Sequence, residues 1–298
     1  MKRLKMNLIK IKITPHSSFI TFPKGDIIFG HFAYHSFMQG EKIFENYINE
    51  KPKIIFSDIL PDGYLYKPTL PLKAFDVDES KKKEFRKKSW IDIKDLEQGD
   101  IKKAKELSFY KSEVKIRNSL NRLTFNTDDS GEFAPFSLEE FTFSYQPVIY
   151  ILFDEEYFSK EDIEERLNLI GKNGFGKKGS IGKGHFKAKI DDGFKDFTET
   201  KSDYYLTLSP TILHKSKDVI EKAYYNTFNR FGKSHSKQTP FKKPLLMADS
   251  GAVVKVHKGF KEKWIGGAID NGINSPSFVQ GYSIVIPFEF DEKGLKDG

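Results

Sequence analysis

Gly171-Lys172-Asn173-Gly174-Phe175-Gly176-Lys177-Lys178-Gly179-Ser180-Ile181-Gly182-Lys183-Gly184-His185 packs glycine and lysine together without one acidic residue. Glycine reaches positive φ and lets backbone approach a ligand closely, so successive N–H groups can converge on phosphate oxygens. The lysines add an attraction that falls with salt. Two familiar phosphate motifs come close to this pattern, and both require a strand before the loop and a helix after it. Gly171 to Lys178 nearly spells a P-loop, but Lys178 stands where the magnesium-binding Ser or Thr belongs. Gly174, Gly176 and Gly179 satisfy G-x-G-x-x-G. The flanks run the other way. Ser159 with Asp162 forms a capping signal, and Ile163, Leu167 and Ile170 fall at i, i+4 and i+7, which predicts a helix ending at Gly171. Gly184 to Ile190 then reads as a strand. A loop that leaves a helix and enters a strand is neither an NTPase loop nor a dinucleotide fingerprint, and it sits within one folded unit rather than serving as a linker.

Working outward, Ile9, Ile11 and Ile13 alternate with Lys10 and Lys12, which predicts a half-buried first strand. Thr14 to Gly25 is turn-rich, and Asp26 is placed to cap a helix starting at Ile27. Lys53 to Leu60 and Tyr64 to Tyr66 read as strands around the Pro61-Asp62-Gly63 turn. From about residue 76 to 106 the composition shifts to Lys, Glu and Asp, as in a solvated insertion with one short polar helix. Residues 113–135 resemble a protruding hairpin with a turn at Asp128-Asp129-Ser130-Gly131. Phe141 to Phe153 is a long aromatic strand interrupted by Pro147, and the domain boundary is placed there. In the second half, Tyr204 to Leu208, Pro244 to Lys258 and Gly281 to Phe290 read as strands and Asp218 to Tyr225 as a helix. The expected architecture is α+β: two ferredoxin-like units of split βαβ type, residues 1–146 and 147–298, the second carrying the glycine-rich loop.

The chain has 298 residues, a formal net charge of +7 and 31% charged residues, a balance that suits a polyanionic partner. Twenty-eight Phe and 13 Tyr supply core area that the 38% hydrophobic fraction would otherwise leave short. With no cysteine, disulfides, thiolate metal sites and a cysteine nucleophile are excluded, in keeping with a reducing cytosol. The basic start runs straight into the Lys/Ile alternation without a signal-length apolar stretch, and no run approaches a membrane span, so a soluble cytoplasmic protein is expected.

The glycine-rich stretch Gly174 to Gly184 resembles the mark of the RAMP superfamily of CRISPR-associated proteins, a loop between the last helix and last strand of a ferredoxin-like unit. Thr21-Phe22-Pro23-Lys24-Gly25-Asp26-Ile27-Ile28-Phe29-Gly30 is similar to the loop and first helix of subunit four of the type III-A (Csm) effector complex. Asn229-Arg230-Phe231-Gly232-Lys233-Ser234-His235, Pro240 to Pro244 and Gln280-Gly281-Tyr282 suit the same subunit, so the likeness spans nearly the whole chain. Ile27 departs from the family's Thr or Ser, and Tyr34 and Phe37 stand where Trp is common. The resemblance implies a noncatalytic, cofactor-free subunit that grips the single-stranded 5′ handle of the CRISPR RNA. It also implies pairing with the large polymerase-domain subunit and contact with the first backbone RAMP subunit.

Carried over by position, Lys24, the hairpin around Arg117 and Arg122, and Gly174, Phe175, Gly176, Lys177, Lys178, Gly179, Ser180, Gly182, Lys183, Gly184 and His185 become candidate RNA contacts. Arg230, Phe231, Lys233 and His235 join them. Phe19, Phe175 and Phe231 sit in polar or glycine-rich loops where an unpaired base could stack on them. His16, His31, His35, His185 and His235 raise a rival reading, a metal-independent endoribonuclease acting on repeat RNA. His31 and His35 share a helix face without a third metal ligand, and His185 suits phosphate or base contact better than proton transfer. A scaffold whose basic surface meets only protein is a third reading.

Overall fold

The computed structural model describes residues 6–121, 123–127, 131–198, 202–232, 242–270 and 278–292. Strand β1 (Met6–Pro15) buries Ile9, Ile11 and Ile13 on one face, as the alternation predicts. The loop after it leads into α1 (Gly25–Met38). Asp26 does not cap this helix. The N-cap residue Lys24 makes no side-chain cap, and Asp58, from a buried loop, accepts the Gly25 N–H at 2.8 Å instead. The expected second strand divides into β2 (Ile54–Phe56) and β3 (Leu60–Pro61), followed by β4 (Tyr64–Tyr66).

The charged stretch is more structured than its composition suggests. It holds α2 (Lys82–Lys87), β5 (Trp90–Asp92), paired with β4, and α3 (Ile93–Glu97). Phe75, Phe85, Trp90, Leu96 and Ile101, spaced out between the charges, all enter the main core. Next comes an antiparallel pair, β6 (Tyr110–Arg117) with β7 (Phe136–Phe143), the first strand overlapping the start of the expected 113–135 span and the second beginning just past its end. Asp128 and Asp129 lie outside the described residues. The aromatic run at 141–153 is two strands, because Pro147 begins β8 (Pro147–Asp154).

Every residue of β8 is buried, and the strand lies between β1 and β2 in the order β2-β8-β1-β9, with β3 also on β8. A strand buried on both faces is a central strand. The chain therefore does not part at residue 146, because β8 and β9 (Phe186–Ile190), both beyond that point, complete the sheet begun by β1. Helix α4 (Lys160–Asn173) starts with the capping box of Ser159 and Asp162, buries Ile163, Leu167 and Ile170, and runs two residues past Gly171. Gly171 lies where α4 meets β9, and a Cβ there would stand 2.1 Å from the Phe186 carbonyl oxygen.

The remaining chain forms a second sheet, β11-β14-β10-β16-β15, and a ribbon of β12 with β13. These strands are β10 (Tyr204–Thr207), β11 (Ile220–Tyr224), β12 (Thr227–Arg230), β13 (Leu245–Ala248), β14 (Val253–Val256), β15 (Trp264–Asp270) and β16 (Phe278–Phe288). The helix expected at 218–225 is strand β11. Among the described residues no α-helix follows α4, so the strand-helix-strand-strand order expected of a second ferredoxin-like unit is not found there. The protein is thus α+β, and one hydrophobic core joins Ile11 and Phe56 of the first sheet to Leu206, Ile284 and Phe288 of the second.

Candidate nucleic-acid interface

The glycine-rich loop is fastened at both ends and in its middle. Phe175 N–H donates to the Gly184 carbonyl at 2.9 Å, closing the loop on itself, and Gly184 N–H donates to the Ser18 carbonyl at 2.9 Å. His185 N–H donates to Ser17 Oγ at 2.9 Å, and His16 N–H donates back to the His185 carbonyl at 2.8 Å. Lys177 N–H donates to Thr21 Oγ1 at 3.0 Å, while Gly176 N–H donates to His31 Nε2 of α1 at 3.2 Å. Positive φ angles at Gly174, Gly176, Lys178, Gly182 and Gly184 make this path possible. These amides are held by protein groups rather than left open to a phosphate, so the loop offers its charge mainly through side chains.

Those side chains divide into anchors and free cations. Phe175 is 2% exposed, with its ring centroid 4.7 Å from that of His31 and 6.3 Å from that of Phe19, which is itself 1% exposed. Phe19 and Phe175 are therefore core residues that seat the loop, and the stacking role expected of them is corrected. Lys183 is turned inward, donating to Glu140 Oε2 and Ser18 Oγ, both at 2.8 Å. Lys177 and Lys178 are exposed, with the Lys178 ammonium 5.2 Å from the Phe136 ring centre on β7. Ser180 and Gly182 are exposed, whereas Gly179 and Gly184 are buried.

Glu140 of β7 is a site residue that the sequence does not mark. Its side chain is 1% exposed, yet it receives Lys183, the Ser18 hydroxyl at 2.8 Å and Arg117 Nη2 at 3.0 Å, with the Lys115 ammonium at 3.4 Å. Hydrogen bonds from Lys183 outweigh the desolvation that would raise its pKa, and the carboxyl is held down at about 2. Because the folded pKa lies below the ordinary glutamate value of 4.5, this carboxylate stabilises the fold at neutral pH and that contribution is lost as pH falls from about 4.5 toward 2. Wild-type thermal midpoints are expected to drop across this acid window, and the Glu140→Gln variant is expected to lose part of that drop.

The remaining candidates lie at the start of α1 and on the β12 ribbon. Lys24 Nζ is 2.7 Å from Asp249 Oδ1, 3.5 Å from Asp58 Oδ2 and 4.8 Å from the Phe228 ring centre. Arg230 Nη2 donates to Asp26 Oδ1 at 2.5 Å in a nearly buried pair. Both cations are engaged inside the protein, and the expectation that they stand ready for RNA is corrected. Phe231 is 73% exposed and keeps its place as a stacking candidate. Arg122, Lys233 and His235 lie outside the described residues. His35 has its pKa lowered by burial, and His185 Nε2 lies 3.4 Å from the Gly179 carbonyl. Among the described residues no three His, Asp or Glu side chains gather as a metal site, and no helix is long and apolar enough to cross a membrane.

Loop, hairpin and sheets together define an α+β protein with a lysine-bearing loop fixed between a helix and an edge strand. Comparison with solved structures then finds this fold in Csm4 subunits. A crystal structure of the Csm3-Csm4 subcomplex in the type III-A CRISPR-Cas interference complex contains a chain matching with TM-score 0.62 and 19% identity over 94% of this chain and 99% of that one. Chains in the Csm1-Csm4 cassette match with TM-scores of 0.59 in complex with AMPPNP and 0.58 in complex with cA4. Their identities are 19% and 18%, and both matches cover 96% of this chain and 99% of the other. No family model and no curated protein matches the sequence.

Proposed function

We propose that this chain is a noncatalytic RNA-binding subunit of a type III-A CRISPR effector complex, in which it anchors the 5′ handle of the CRISPR RNA. The observation that carries this reading is a set of exposed cations where the glycine-rich loop meets the two-stranded ribbon: Lys177 and Lys178, the latter over the ring of Phe136, with half-exposed Arg117, the strand partner of Phe136, and Lys115. Cations fixed on a loop whose backbone amides are already satisfied within the protein suit a sugar–phosphate chain held through side chains, its bases read elsewhere. The near full-length fold match to Csm4 chains supports it.

In the same reading, β1-α1-β2-β8-α4-β9 is a ferredoxin-like unit, since its sheet order β2-β8-β1-β9 and two helices follow that arrangement. The β6–β7 pair is its protruding hairpin. The large polymerase-domain subunit and the first backbone subunit are the protein partners, in keeping with the Csm1-Csm4 and Csm3-Csm4 assemblies in which the fold occurs. The complex works in the prokaryotic cytoplasm.

Lys177→Ala/Lys178→Ala tests the reading. Binding of a fluorescein-labelled RNA bearing the repeat-derived 5′ end should weaken about tenfold or more near physiological salt. The log–log salt slope should become shallower by roughly 1.4, from ~0.7 per lost phosphate contact. Unchanged affinity and slope would remove the loop from the account. Specific cleavage of repeat RNA by the purified protein in EDTA would favour the endoribonuclease instead.

A further inference from the structure

We infer that Glu140 is a positioning residue that ties the glycine-rich loop and the β6–β7 ribbon into one RNA-facing wall. The inference rests on the RNA-anchoring reading above. Three pieces of chain far apart in sequence meet on this carboxylate: Ser18 from the first loop, Lys183 from the glycine-rich loop, and Lys115 with Arg117 from β6. Lys183 is mostly covered, at 17% side-chain exposure, whereas Lys115 and Arg117 are each 46% exposed. An arginine carries five N–H donors in a planar fork, so one bond from half-exposed Arg117 to Glu140 orients the guanidinium without using up its donors. Glu140 thus holds Lys183 as an internal fastener and sets the two ribbon cations beside Lys177 and Lys178. An acidic residue among so many cations lowers the local positive charge, and its retention at 1% exposure makes sense if geometry outweighs that loss.

This assignment predicts an effect opposite in sign to simple electrostatics. Removing an acid from a protein that binds RNA raises its positive charge and should tighten binding. Removing an acid that aligns the cations should loosen it. In the full-length protein, Glu140→Gln is expected to weaken binding of the same labelled RNA about tenfold, with a shallower salt slope. Glu139→Gln is the charge-matched control, because that exposed neighbour interacts with Ser112 and takes no part in the cluster. It should bind as tightly as wild type or slightly more tightly. Affinities are read well below each variant's thermal midpoint, so that lost stability alone leaves them unmoved.

Equal or tighter binding by Glu140→Gln, with wild type binding normally, overturns the inference and leaves the proposed function standing. Failure of wild type to bind the RNA overturns both. If Glu140→Gln does not fold, Glu140→Asp keeps the charge while shortening the reach. Weaker binding at unchanged net charge then supports the tie, and wild-type affinity overturns it.

Discussion

Gly184→Ala is expected to cost about 3–5 kcal/mol of stability and to unseat the glycine-rich loop, because a Cβ there meets backbone on a strained residue. Gly184 has φ +70°, and its added Cβ would lie 2.2 Å from the Phe175 carbonyl oxygen and 2.7 Å from the Phe175 nitrogen. Phe175 cannot give way cheaply, since its ring is buried against Phe19 and His31 and its N–H donates to the Gly184 carbonyl. Relieving the clash therefore draws the anchor out of the core, a loss of several kcal/mol when an aromatic is involved. Gly182→Ala separates strain from collision. Gly182 has φ +90° but nothing within 4 Å of its Cβ position, so only the left-handed backbone penalty of about 1–2 kcal/mol applies. Urea unfolding of the two variants should show this difference, and RNA affinity should fall far more for Gly184→Ala. Equal losses from both would show that the closure by Phe175 is not what holds the loop.

How much of the fold is legible in the sequence depends on whether a signal is local. The Ile9, Ile11, Ile13 alternation and the Ser159 capping box are complete within a few residues, and both elements form as read. Strand β11 reads as a helix because of a bulge. Its register on β14 shifts between Ile220 and Lys222, which breaks the alternation and leaves Ile220, Ala223 and Tyr224 at helical spacing. The domain boundary expected at Pro147 is absent because β8 finds its main partner in β1, 148 residues earlier at the register Met6 to Asp154. No window of sequence carries such a pairing.

The site shows the same division. Glycines and lysines at 174–185 mark the loop, since their types are unusual wherever they occur. Which lysines remain free is hidden, because Lys183 is claimed by Glu140 and Lys24 by Asp58 and Asp249, all distant in sequence. Phe19 and Phe175 mislead for a related reason. A glycine-rich loop that is bolted down needs a buried side chain to hold it, and its lone aromatic serves as that anchor.

Arg230→Met distinguishes a structural cation from an RNA contact at the residue where the sequence and the structure disagree most. Asp26 is 5% exposed on its side chain, and burial raises its pKa above the usual carboxylate value even with Arg230 opposing that shift. Removing the guanidinium leaves a buried carboxylate beside Lys24, which is already shared with Asp58 and Asp249, and within electrostatic reach of Lys242, whose own burial disfavours its charge. Breaking one side of such a pair costs about 3–5 kcal/mol, well above the worth of an exposed ion pair. Since a raised folded pKa means that the folded state holds its proton more tightly, the variant should regain stability as pH falls toward the carboxylate range and lose it as pH rises. Adding Asp26→Asn should recover much of the loss at neutral pH, because it removes the stranded charge while keeping its size. RNA affinity of the folded single variant should change far less than that of Lys177→Ala/Lys178→Ala. A neutral-pH thermal midpoint equal to wild type, together with a large loss of RNA binding, would return Arg230 to the RNA surface and show that the Asp26 pair is dispensable.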